Sequence, residues 1–175
     1  MRPLILALAL TATACGALAQ PPKLKPELAG IGFLVGDWTS GAGKVAVTGD
    51  TDRGGSKITV EADGAALLRR DHTETFDAGG KPTGRFRQIM LIYPEGGTLH
   101  ADYSDGEGHV IHYVSAAVTP GRAVVFTGPV QPGAPSFRLA YELTAKGELA
   151  VDFGMVPPGG GGVRPIATGV LKTAR

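Results

Sequence analysis

The chain has 175 residues, with 17 Lys+Arg against 16 Asp+Glu and no run of like charge. That argues against nucleic acid or an anionic membrane surface as partner, since both need a basic footprint. Its 27 Gly and 13 Pro exceed ordinary usage and point to many turns, and a single Cys excludes a disulfide framework within the chain.

The first segment reads as an export signal. Arg2 supplies a positive start, and Leu4 to Ala14 is an apolar run too short to remain across a bilayer. Ala17-Leu18-Ala19 offers the small residues that signal peptidase reads, so residues 1–19 are expected to be removed before Gln20, leaving a periplasmic or extracellular protein. The alternative uses Cys15. Ala12-Thr13-Ala14-Cys15-Gly16 is similar to a lipobox, and its use would give a lipoprotein anchored through Cys15. No later run is long enough for a membrane helix, so no transmembrane segment is expected once the signal is gone.

Residues 20–34 form an N-terminal segment with one short helix. Lys25-Pro26-Glu27-Leu28-Ala29-Gly30 puts Pro near a helix start, Glu in the first turn and Gly at the stop. Residues 35–175 then alternate between short strands and Gly/Asp/Pro clusters. The clusters include Asp63-Gly64, Asp77-Ala78-Gly79-Gly80, Glu95-Gly96-Gly97, Asp105-Gly106, Pro120-Gly121, Pro132-Gly133 and Lys146-Gly147, recurring about every 10 to 15 residues. Ile58 and Val60 oppose Lys57 and Thr59. Leu99, Ala101 and Tyr103 oppose His100 and Asp102, Leu139 and Tyr141 oppose Arg138 and Glu142, and Val151 and Phe153 oppose Asp152. A period of two with one apolar face is a half-buried strand. Arg85 to Tyr93, His109 to Ala117 and Arg122 to Gly128 are strand-like but apolar on both faces. Pro157 to Gly162 breaks the pattern as an exposed loop or a flap, and Pro165 to Arg175 reads as a last strand placed to pair with the first. The fold expected is all-β: a single antiparallel up-and-down barrel of about 8–10 strands with a short N-terminal helix.

Phe33-Leu34-Val35-Gly36-Asp37-Trp38 contains the only Trp and opens the first long strand. A short helix followed by Gly-x-Trp and a run of antiparallel strands resembles the lipocalin-like (calycin) barrels. Leu34, Gly36 and Trp38, then Gly84-Arg85-Phe86-Arg87, the apolar strand to Tyr93, and Leu99 to Asp105, are similar to bacterial proteins of the DUF1579 type, diffusely over residues 28 to 175. The resemblance implies that Gly36 and Trp38 form a structural plug at the closed end, with a basic residue stacked on the ring. Arg164, Lys172 and Arg175 are the candidates.

Candidate binding residues come from Arg69-Arg70-Asp71-His72-Thr73-Glu74, the densest polar stretch on an expected strand. If Leu68 and Phe76 point inward, so do Arg70, His72 and Glu74; if Leu67 does, then Arg69, Asp71 and Thr73 do. Arg70 and His72, joined by Arg87 and His112 from neighbouring strands, are expected to orient the head of a small amphipathic or hydrophobic ligand. Met90, Phe126, Phe137 and Phe153 would line the cavity for its tail. No cofactor is expected, and no metal. His109 and His112 at i, i+3 fall on opposite faces of a strand, and no His follows His112 to serve haem. The line Thr98, His100, Asp102, Ser104 has the residue types of a triad but the alternation of an outer face, so an enzyme is not expected. The alternative function is a structural or protein-interaction barrel of the cell envelope.

Overall fold

The computed structural model describes residues 23–40, 43–45 and 48–174. The expected signal peptide, Cys15, Gln20 and Arg175 lie outside the described residues. Helix α1 (Pro26–Ala29) and a 3-10 turn (Gly32–Leu34) precede β1 (Gly36–Ser40), β2 (Gly43–Val45), β3 (Thr51–Glu61), β4 (Ala66–Phe76), β5 (Pro82–Glu95), β6 (Thr98–Asp105), β7 (Val110–Thr119), β8 (Ala123–Thr127), β9 (Ser136–Leu143), β10 (Leu149–Val156) and β11 (Arg164–Thr173). From β3 onward each strand pairs antiparallel with the next. β1 and β2 are two pieces of one stave, because both lie between β3 and β11. The result is one closed antiparallel barrel of ten staves. Trp38 sits in the closing seam, opposite Thr173 on β11 and Ser56 on β3. Closure pairs both sheet edges and leaves no free row of backbone groups.

The N-terminal segment covers one end. Pro26 occupies the first helical turn, where its missing N–H costs nothing, and Glu27 follows it. Leu28, Ile31 and Leu34 recur every third residue and are fully buried against the barrel. Two backbone hydrogen bonds fix the segment across the opening. Lys25 N–H donates to Gly64 O (2.9 Å) in the β3–β4 turn, and Gly121 N–H in the β7–β8 turn donates to Gly30 O (2.7 Å).

Trp38 fills the space beneath. Its indole N–H donates to Leu34 O at 2.8 Å, so the ring is buried with its one polar atom satisfied. Gly36 has φ of +148°, and a Cβ there would stand 3.5 Å from Trp38 Nε1. That conformation is open to glycine and strained for other residues, which explains the Gly two residues before the Trp. Among the described residues, no cation lies over the Trp38 ring. Lys172 reaches Glu148 at 3.7 Å instead, and Arg164 starts β11 near the far end, opposite Met155.

The staves alternate as the sequence predicts. Leu67, Met90, Ile92, Leu99, Phe126 and Leu149 point inward and pack the half nearest the plug. Ile89 and Leu91 on β5, and Val110, Val114 and Val118 on β7, point outward and are exposed. These are two of the three strands that read as apolar on both faces; the third, β8, exposes no large apolar side chain among the described residues.

Candidate functional site

Above the packed half, the interior opens into a cavity of about 170 Å3. The sequence leaves that space by placing small residues inward on adjoining staves: Ser40 on β1, Gly54 and Ser56 on β3, and Ala167 and Gly169 on β11 all border it. Gly54 is also required by close approach, since a Cβ there would stand 2.0 Å from His72 O on β4. The adjoining wall is larger and apolar, with Leu139 and Tyr141 from β9 and Val151 and Phe153 from β10.

The floor is polar. On β4 the inward set is Leu67, Arg69, Asp71, Thr73 and Thr75, and the outward set is Arg70, His72 and Glu74. Arg69 is buried and uses all of its five N–H donors. Nε donates to Asp71 Oδ2 at 2.6 Å, and Nη2 donates to the same oxygen and to Gln88 Oε1 at 3.1 Å. Nη1 donates to the Tyr141 hydroxyl and touches Met90 Sδ at 3.9 Å. Burial alone would lower the guanidinium's proton affinity, but the Asp71 charge and the Tyr141 contact raise it well above its ordinary value, so Arg69 stays charged.

The partners are not all used up. Asp71 Oδ1 is buried without a hydrogen-bond partner, although the Asp71 side chain is only 10% exposed. Tyr113, buried and bordering the cavity, has no hydroxyl partner among the described residues. Burial pushes Tyr113 up, and it pushes Tyr141 up to about 12, so both keep their protons as hydrogen-bond donors at neutral pH. Tyr103 also borders the cavity, but its hydroxyl donates to Asp105 Oδ2 at 3.0 Å.

The candidate residues of the sequence are therefore placed differently from expectation. Arg70, His72, Arg87 and His112 are exposed and face away from the interior. The reason is the period of the strand. Leu67 joins the core, which carries Arg69 and Asp71 inward and turns Arg70 and His72 out. Arg87 pairs with His72 across β4–β5, so it shares the outer face. His112 Nδ1 lies 2.7 Å from Asp102 Oδ1, and Tyr93 donates to the other Asp102 oxygen at 3.0 Å. These contacts, His112 first, hold the Asp102 carboxyl below the usual range. The four residues do not form one group: Arg70, His72 and Arg87 share an outer depression on β4 and β5, while His112 lies on β7.

Of the expected apolar lining, only Phe153 borders the cavity. Met90 and Phe126 are in the packed half, and Phe137 stacks on Phe153 at 5.8 Å. His109 faces Asp105 at 3.0 Å in the β6–β7 turn. Among the described residues, no three His, Cys, Asp or Glu side chains gather as a metal site. In the line Thr98, His100, Asp102, Ser104, no described hydrogen bond joins His100 to Asp102 or Ser104; His100 stacks on Tyr93 at 5.7 Å. Arg69, Asp71, Gln88 and Tyr141 are the interior residues that the choice of Arg70 and His72 missed. Their signal was the small inward row of Gly54 and Ser56, paired in register with Thr73 and Asp71.

No protein-family model matches the chain, and no curated protein matches it. Among solved structures, the barrel is similar to the crystal structure of Rv2717c from M. tuberculosis, with a TM-score of 0.60 and 18% identity, over 87% of this chain and 100% of that one. At that identity the likeness speaks to the fold: a closed antiparallel β-barrel, which fits the lipocalin-like pattern in outline.

Proposed function

We propose that this protein is an exported, non-enzymatic barrel that binds a small amphipathic or hydrophobic molecule in its interior. The observation that carries the proposal is the cavity itself: an apolar wall of Leu139, Val151, Phe153 and Leu171 facing a buried polar floor at Arg69 and Asp71. Apolar walls with a few placed polar groups are the common form of a small-molecule site. Export rests on Ala17-Leu18-Ala19, with lipidation at Cys15 as its rival, and the DUF1579 likeness rests on Leu34, Gly36 and Trp38.

The test is a melting-point screen against a broad panel of alcohols, fatty acids, aromatic acids and hydrocarbons. A binder raises the melting temperature by mass action. Ala167→Phe, which fills the cavity from β11, should abolish every such shift. Trp38 does not itself line the cavity, so a thermal melt as cooperative as the wild type's, with Trp emission still that of a buried ring, would show that this variant is folded. If no compound shifts the wild-type protein at millimolar concentration, the binding reading fails.

A second reading has its own observation. Ile89, Leu91, Val110, Val114 and Val118 expose apolar side chains on the outer wall at β5 and β7, a feature of protein-contact surfaces. Light scattering across a concentration series would support it by showing self-association that Ile89→Lys and Val110→Lys remove.

A further inference from the structure

We infer that the cavity selects an uncharged, hydroxyl-bearing ligand and discriminates against carboxylates. This deepens the binding reading and rests on it. The argument is an inventory of donors and acceptors on the cavity floor.

Arg69 is the obvious anchor for an anionic head, yet it has nothing to offer one. Its five N–H groups are committed to Asp71, Gln88, Tyr141 and Met90. Its charge is already balanced by Asp71. An entering carboxylate would lose its hydration beside the Asp71 carboxylate and find no free guanidinium edge. That is an uncompensated desolvation, the most expensive event in a closed site.

The unfilled valences are of a different kind. Asp71 Oδ1 is an acceptor without a donor. The Tyr113 hydroxyl is without a partner among the described residues. The Tyr141 hydroxyl accepts from Arg69 and keeps its own proton to give. A site offering one acceptor and phenolic donors is matched by a group that both donates and accepts. A hydroxyl does so without bringing a charge. An ammonium donates only, a carboxylate accepts only, and a hydrocarbon leaves Asp71 Oδ1 as it is. The ring edges and aliphatic side chains of Leu139, Val151 and Phe153 would then cover the ligand's apolar body.

The experiment is calorimetric titration of the full mature protein at neutral pH with four molecules of one shape: toluene, benzyl alcohol, benzylamine and benzoate. Benzyl alcohol should bind about tenfold or more tightly than toluene and benzoate, the ratio expected for one hydrogen bond made or missed in a buried site. Asp71→Asn should shrink the preference for benzyl alcohol over benzoate by at least about tenfold, because the amide turns the free acceptor into a donor and leaves Arg69 unbalanced. The wild-type ranking stands as a test even if that variant does not fold. Equal binding of toluene and benzyl alcohol would overturn the inference and leave an unselective apolar pocket. Tightest binding of benzoate or benzylamine would also overturn it, again with binding intact. No binding by any of the four would overturn it as well, and the binding reading itself falls only if the wider melting screen is also silent.

Discussion

Arg69 on β4 and Tyr141 on β9 are hydrogen-bonded across the full width of the barrel. Going round the ten staves, β4 and β9 are five steps apart in either direction, so the bond lies along a diameter. It divides the interior. On one side is the packed half under Trp38, and on the other is the cavity. The guanidinium also lies over the Tyr141 ring, 5.7 Å from its centroid.

That bridge should be costly to cut from one side. Arg69→Met leaves Asp71 buried without its counter-charge, and breaking a buried pair in this way costs about 3–5 kcal/mol. Replacing both, as Arg69→Met with Asp71→Leu, should recover most of the loss, because an apolar pair needs no compensation. Urea melts of the two single variants and the double variant measure this directly. Additive losses in the double variant would show that Arg69 and Asp71 do not act as a unit.

The plug should be a major element of stability. Trp38→Ala removes a large buried ring and its hydrogen bond to Leu34 O, for about 3–5 kcal/mol. Trp38→Phe keeps most of the volume but leaves Leu34 O unpaired, for about 1–3 kcal/mol. Gly36→Ala should also destabilise, because φ of +148° is strained for Ala. A thermal melt in which Trp38→Ala matches the wild type would remove the plug from its role.

The tyrosines predict an alkaline limit. All four Tyr are held above their ordinary value: Tyr103, Tyr113 and Tyr141 first by burial, and Tyr93 first by its hydrogen bond to Asp102. In the unfolded chain they ionise near about pH 10. The folded state then binds more protons than the unfolded state as pH rises past that point, so stability falls with rising pH. The drop begins at the unfolded value and continues through the folded ones, with Tyr141 at about 12. Phenolate absorbance from Tyr103, Tyr113 and Tyr141 should therefore stay low until the barrel unfolds and then appear in one step. A smooth titration centred near the ordinary value, with the fold intact, would contradict the burial of these hydroxyls.

Asp105 sets the corresponding acid behaviour. Burial works against its charge, but contacts from His109, Tyr103 and the Glu107 and His109 N–H groups more than offset that and hold its carboxyl below the usual range. A lowered folded value gives stability that is present above the unfolded pKa and lost as pH falls through the folded one. Asp105→Ala should cost about 1–3 kcal/mol at neutral pH, because the β6–β7 turn and the Tyr103 hydroxyl lose their acceptor. Its acid unfolding curve should also be flatter than the wild type's. An unchanged acid curve would remove Asp105 from that role.

The outer residues should be dispensable for the cavity. Arg70→Ala, Arg87→Ala and His112→Ala change exposed side chains on the outside of the wall. Each should alter stability by less than about 1 kcal/mol and leave interior binding within about twofold. Calorimetry with any compound found in the melting screen checks this. Loss of binding in one of these variants would place the site on the outer surface.

The sequence alone determined the short antiparallel strands, at a spacing that suits a sandwich or a barrel, and pairing of the first strand with the last closes them into a barrel. Strict alternation in Leu99-His100-Ala101-Asp102-Tyr103 and Val151-Asp152-Phe153, punctuated by Gly turns, leaves few alternatives to short antiparallel strands, because a side-chain period of two with one apolar face has to cover a core. The plug role of Gly36 and Trp38 came from the likeness of Leu34-Val35-Gly36-Asp37-Trp38 to lipocalin-like barrels rather than from local pattern. The direction of β4 was not legible. Arg69-Arg70-Asp71-His72 carries polar residues on both faces, so local pattern gives two readings, and a shift of one residue exchanges them entirely. Only the closed barrel decides, by taking Leu67 into the core and bringing Arg69 against Tyr141, 72 positions away in the chain. The cavity is of the same kind. Ser56 and Ala167 are small residues anywhere in a sequence, and they become empty space only when β3 and β11 flank the same stave. Local pattern fixes what each strand is, and the contacts across the barrel fix what the interior holds.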